Sequence, residues 1–113
     1  MSSARAVSFR LKSSAPLFAA LGDPTRLHLV SRLSAEGPLS IAALTPGTKV
    51  TRQAVTKHLR VMAQAGLLRS RRSGRQRLWE LAPDQLAEAR RCLEAISREW
   101  DGALARLREH VER

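Results

Sequence analysis

Glycine and proline punctuation sets the element lengths available to this chain. Gly22, Pro24, Gly37, Pro38, Pro46, Gly47, Gly66, Gly74 and Pro83 interrupt it repeatedly, whereas no proline follows Pro83. The first eighty or so residues therefore hold only short elements, and the remainder is free to form one long helix. Within 113 residues this describes one domain, extended by whatever a partner subunit supplies.

The segments between the breaks carry their own start and stop signals. Ser14 ahead of Ala15-Pro16 reads as a helix start, with Leu17, Phe18 and Leu21 apolar and Gly22 as the stop. Asp23-Pro24 is a second start, an N-cap followed by proline at N1. Its helix shows Leu27, Val30 and Leu33 along one face, with Leu29 widening it. Ser40 caps a short apolar turn, Ile41 to Leu44, broken by Thr45-Pro46-Gly47. Thr51 caps the fourth helix, in which Val55, Leu59 and Met62 fall at i, i+4 and i+7 and face the core. Gly66 is the C′ stop. Two strands, around 67–72 and 76–81, are joined at Ser73-Gly74, and Pro83-Asp84 open the last helix. The fold class predicted is mainly α with one small β-hairpin.

Charge is concentrated in the same way. The net charge is +10, yet no acid lies between residues 37 and 79, where Lys49, Arg52, Lys57, Arg60, Arg69, Arg71, Arg72, Arg75 and Arg77 all fall. A solvated face normally mixes signs, so an acid-free block on a helix and a hairpin is the footprint of a surface laid against phosphates. Aromatics are limited to Phe9, Phe18, Trp79 and Trp100, too few for a sheet that stacks single-stranded bases. Trp79 reads as structural, at the base of the hairpin. No apolar run reaches membrane-spanning length and no signal-peptide core opens the chain. The lone Cys92 fits a reducing cytoplasm. No acid–base pair, nucleophile motif or glycine-rich phosphate loop supports an enzyme or a cofactor. Residues 1–14, with Arg5, Arg10 and Lys12 among serines, read as a basic arm or as a helix ordered only in an assembly.

The last helix, within 83–113, has heptad spacing. Leu86, Leu93, Trp100 and Leu107 occupy one seam position, and Ala89, Ile96, Ala103 and His110 the other, with Leu104 and Val111 broadening the stripe. A small domain of short helices cannot cover a seam about eight turns long. The first half of the seam has its own domain to pack on; the second half predicts a subunit interface, and hence a homodimer, with Leu86, Leu93, Ile96, Trp100, Ala103, Leu104 and Leu107 as the expected interface residues.

Three stretches then carry a resemblance: Ala20-Leu21-Gly22-Asp23-Pro24-Thr25-Arg26-Leu27, Val50-Thr51-Arg52-Gln53-Ala54-Val55-Thr56-Lys57-His58-Leu59, and Ala65-Gly66-Leu67-Leu68 ahead of the arginine hairpin. With them the chain resembles the ArsR/SmtB-type winged helix-turn-helix transcriptional repressors over about residues 15–111. The resemblance implies a winged helix-turn-helix core at 15–82 and a C-terminal dimerisation helix at 83–113. It also implies a homodimeric repressor that binds a double-stranded operator near its own promoter and releases it on a signal.

In a helix-turn-helix the second helix enters the major groove. Here that is 51–64, where Arg52 has the fork for a guanine edge and Gln53 the amide for adenine. Thr51 and Thr56 suit phosphate oxygens or a thymine methyl, and Lys57 and Arg60 suit phosphates. His58, at the edge of the core face, is open to packing, capping or DNA contact. Of the wing, residues 69–77, Arg71, Arg72, Arg75 and Arg77 are expected on flanking phosphates or in a minor groove. Metal-sensing members of the family carry thiol or histidine ligand motifs. The third helix here has none, and Asp101, His110 and Glu112 match the terminal-helix motif only in fragments, leaving at most a weak zinc site across a dimer. Cys92, beside Leu93, could link two subunits lying close enough, although lone helical cysteines are far more often inert. The inducer is not readable. A metal-responsive repressor is the alternative within the family, and a nonspecific architectural or RNA-binding protein the alternative outside it.

Overall fold

Three of the four short-helix start signals become side-chain caps in the computed structural model, which describes residues 12 and 14–112. The Asp23 carboxylate accepts from the Arg26 N–H at 3.0 Å and opens α2 (Pro24–Glu36). The Ser40 hydroxyl accepts from the Ala43 N–H at 3.2 Å and opens α3 (Ile41–Leu44). Thr51 does the same for Ala54 at 3.1 Å and opens α4 (Arg52–Gln64). Each satisfies an N–H that the helix itself leaves without a partner. Ser14 is the exception. It and Lys12 are already helical and Ser14 is buried, so α1, helical over 14–21, does not begin at a Ser14 cap. The rest of the basic arm assigned to 1–14 lies outside the described residues.

The stop of α4 directs the chain into the hairpin. Gly66 has φ +81°, its N–H donates to the Ala63 carbonyl at 3.0 Å, and the Leu67 N–H donates to the Met62 carbonyl at 2.9 Å. These paired bonds are a Schellman ending. A Cβ at Gly66 would also lie 2.9 Å from the Gln85 side chain. The chain then enters β1 (Leu68–Ser73), turns, and returns as β2 (Gln76–Leu81) in antiparallel register from Leu68↔Leu81 to Ser73↔Gln76. The two turn residues are Gly74, with φ +62°, and Arg75, which places an arginine at the tip.

The core gathers the buried face of every short element: Leu17 and Ala20, Leu29 and Leu33, Leu44, then Val55, Leu59 and Met62, closed by Leu67, Leu68 and Trp79. The apolar face expected for α2 needs one correction, because Leu27 is 52% exposed. Burial centres on Leu29 and Leu33, and at 100° per residue Leu27 lies about 200° from Leu29. Two long-range ties orient the helix-turn-helix. The Arg32 guanidinium donates to the Ala43 and Leu44 carbonyls at 3.0 and 3.1 Å while pairing with Glu36 at 2.8 Å, which pins α3 and the 3₁₀ turn after it, Thr45–Gly47, to α2. Leu39 exchanges both backbone hydrogen bonds with Trp79, at 3.0 and 2.8 Å, which pins the hairpin to the entrance of α3.

The final helix, α5 (Pro83–Glu112), is 30 residues long, about 45 Å, in a molecule of 66 × 29 × 20 Å. Leu86 packs against the core of its own chain, and Ala89 and Cys92 are buried. The unpartnered stripe therefore starts later than the full heptad seam. It runs through Leu93, Trp100, Ala103, Leu104, Leu107 and Val111, with Ile96 half-buried. Cys92 is fully buried, one residue round from the exposed Leu93, so its thiol is not presented for the subunit cross-link that a lone cysteine could have offered. Among the described residues no helix is long and apolar enough to cross a membrane.

Candidate nucleic-acid interface

The outward side of α4 is determined by its inward one. With Val55, Leu59 and Met62 sunk in the core, the 100° step of the helix turns Gln53, Lys57 and Arg60 away from it. Gln53, Thr56, Lys57 and Arg60, with Thr51 and Ala54, line one open groove on this side, of about 530 Å³, with no acid among the described residues that border it. Two hydroxyls on it are already engaged within the helix. Thr51 holds the cap, and Thr56 Oγ1 donates to the Arg52 carbonyl at 3.0 Å.

The two flanks of α4 behave differently. Arg52 turns towards the hairpin and borders a second cleft with Arg75 and Arg77. His58 turns the other way, to the start of α2. Its Nδ1 lies 3.3 Å from the Arg26 guanidinium and 4.0 Å from the Asp23 carboxylate. Arg26 also donates from Nε to the Ala20 carbonyl, so one arginine joins α1, α2 and α4. The backbone N–H of Arg26, and then the charges of Arg26 and His58, hold the Asp23 carboxyl below the usual carboxylate range against a smaller opposing effect of desolvation. Of the predicted reading residues, His58 is thus the one that faces protein.

In the wing, register sorts the arginines. Arg69 stands opposite Glu80 and pairs with it at 3.0 Å, and Arg71 on the same face approaches the same carboxylate at 3.7 Å. Arg72 and Arg77 are directly opposed cations, an arrangement that destabilises a bare hairpin. Arg77 donates to Ser70 Oγ at 2.8 Å. Composition and spacing alone make these arginines equivalent. Glu80, one residue past the acid-free window, is the signal that separates them, legible by counting outward from the turn.

The fragmentary metal motif does not assemble within the chain. Asp101, His110 and Glu112 are all exposed on α5, and Asp101 is nine residues, about 13.5 Å, from His110. Among the described residues no three His, Cys, Asp or Glu side chains are grouped to hold a metal ion.

Comparison with known proteins agrees with this geometry. Residues 21–71, from the end of α1 into β1, match the family described as a helix-turn-helix domain. Over 85 residues the chain is 41% identical to the HTH-type transcriptional regulator Rv2034 of Mycobacterium tuberculosis, covering 75% of this chain and 76% of that protein. It is 36% identical over 72 residues to the transcriptional repressor SmtB homolog of Synechocystis, covering 64% of this chain and 54% of that one. An ArsR-like transcriptional regulator from Rhodococcus sp. RHA1 superposes with a TM-score of 0.71 at 34% identity, covering 87% of this chain and 92% of that one. Mainly helical, with a two-stranded wing and a long terminal helix, the chain belongs to the ArsR/SmtB-type winged helix-turn-helix transcriptional regulators.

Proposed function

We propose that the protein is a homodimeric repressor, acting on its own promoter, that binds a pseudo-palindromic operator. One acid-free groove on α4 carries the reading: a helix face with Gln53, Thr56, Lys57 and Arg60 outward suits the major groove of a duplex. The Gln53 amide addresses base edges, while Lys57 and Arg60 address phosphates. The wing arginines, Arg75 foremost at the tip, address the flanking backbone or minor groove.

The exposed stripe of α5 supports the dimer. Trp100 and Leu107 are 63% and 59% exposed along one side of a helix that projects from the body. A second copy presents the same stripe, so two helices related by a two-fold axis bury both at once. A two-fold protein places two reading helices about one duplex turn apart and requires a two-fold site. A dimer seated on a promoter excludes polymerase, and the name of the Synechocystis relative supports repression as the outcome. Selection of bound duplexes from a random pool tests the reading. Recovery of an inverted repeat supports it, and recovery of no consensus overturns it in favour of a nonspecific nucleic-acid binder.

A further inference from the structure

Arg52 is the outermost polar residue of the reading helix in sequence, yet it does not border the groove that Gln53, Thr56, Lys57 and Arg60 share. It borders a separate cleft of about 220 Å³ with Ser40 and Ile41 at the entrance to α3 and with Arg75, Gln76 and Arg77 of the wing. Three arginines from two elements thus surround one space. No acid borders it. Arg77 is held by Ser70, and neither the Arg52 nor the Arg75 side chain has a hydrogen-bond or ion-pair partner among the described residues. By contrast, Arg69 of the wing is matched by Glu80, and Arg32 of α2 by Glu36. Cations gathered without an acid repel one another unless an anion sits between them.

We propose that this cleft grips a single phosphodiester of the bound duplex, shared by Arg52 and the wing arginines Arg75 and Arg77. This rests on the DNA-binding reading above and deepens it. The guanidinium fork matches the two non-bridging oxygens of a phosphate, and two forks from opposite walls engage both oxygens. Arg52 is then a backbone clamp instead of the guanine reader that its fork alone would make it. One phosphate held between the first turn of α4 and the wing tip also fixes the wing relative to the reading helix. The tie from Leu39 to Trp79 already holds the two walls in register.

The test uses the full chain and two duplexes of equal length, the selected operator and a scrambled sequence, across a salt series. Wild type is compared with Arg52→Ala, Arg75→Ala, the double variant and Gln53→Ala, each checked by circular dichroism. Arg52 is exposed, so its variant keeps the fold. The clamp predicts that Arg52→Ala weakens both duplexes by the same factor, on the order of tenfold, with a shallower salt dependence. Gln53→Ala weakens the operator alone. The double variant loses less than the product of the two single factors, because both side chains serve one phosphate. Loss confined to the operator, independent multiplication of the two factors, or no loss at Arg52 each overturns the clamp. A wild type that does not distinguish the duplexes sinks the operator reading instead, while coupling on the scrambled duplex still decides the clamp.

Discussion

The guanidinium of Arg26 and Nδ1 of His58 lie 3.3 Å apart, joining the first turn of α2 to the middle of the reading helix. A guanidinium has donors only, so a hydrogen bond between the two runs from Arg26 to Nδ1. His58 holds α4 in place and does not itself face the groove.

His58→Ala is therefore expected to lower stability by about 1 kcal/mol and to weaken operator binding without changing its salt dependence. Denaturant unfolding alongside a salt titration checks this. Unchanged stability with a shallower salt slope would make His58 a phosphate contact.

Two carboxylates contribute to the acid side of the stability curve. Asp23 is held below the usual range chiefly by the Arg26 N–H, and Glu36 by its hydrogen bond to Arg32. A depressed folded value adds stability above the unfolded value, and that stability is lost as pH falls through the folded one. Stability should be level near neutrality and fall below about pH 4. Asp23→Asn keeps the cap and should flatten that fall, as should Glu36→Gln. Thermal unfolding from pH 7 to pH 2 measures both.

Glu80 neutralises part of the wing. Because it serves both Arg69 and Arg71, Arg71→Ala should weaken DNA binding less than Arg75→Ala. Glu80→Gln should tighten every duplex and steepen the salt dependence. Titrations on unrelated duplexes read both, and weaker binding by Glu80→Gln would contradict the assignment.

The proposed dimer would place its load on Trp100 and Leu107, both exposed in one chain. Burying a large apolar side chain contributes about 1.5–3 kcal/mol, and a two-fold interface contains each residue twice. Leu107→Glu or Trp100→Glu should raise the dimer dissociation constant at least about a hundredfold. Sedimentation velocity should show monomers at micromolar protein, with helix content retained because both side chains are exposed in one chain.

What could be read from the sequence was local. Caps at Asp23, Ser40 and Thr51, the stop at Gly66 and the buried triplet Val55, Leu59 and Met62 depend on spacing within one element, and all were legible. The family resemblance was legible for the same reason, being carried by contiguous stretches. Contacts between elements were not. Arg26 meets His58 across 32 residues, and Arg32 reaches Ala43 and Leu44 across a turn. Arg52 shares a cleft with wing residues some two dozen positions further along the chain, and β2 is tied back to Leu39. Heptad spacing located the stripe of α5 and left its first half to the chain's own domain, but it could not say which residues, Leu86, Ala89 and Cys92 among them, the interior takes.

A two-fold protein reading a two-fold site is the central claim. A footprint of the purified protein on DNA upstream of its own gene, at about 0.15 M salt, tests it most directly. The expected result is two protected half-sites related by a dyad and separated by about one duplex turn, both persisting as competitor DNA is added. Uniform protection without a dyad, disappearing as salt rises, would contradict the claim and leave the basic surface a general grip on nucleic acid.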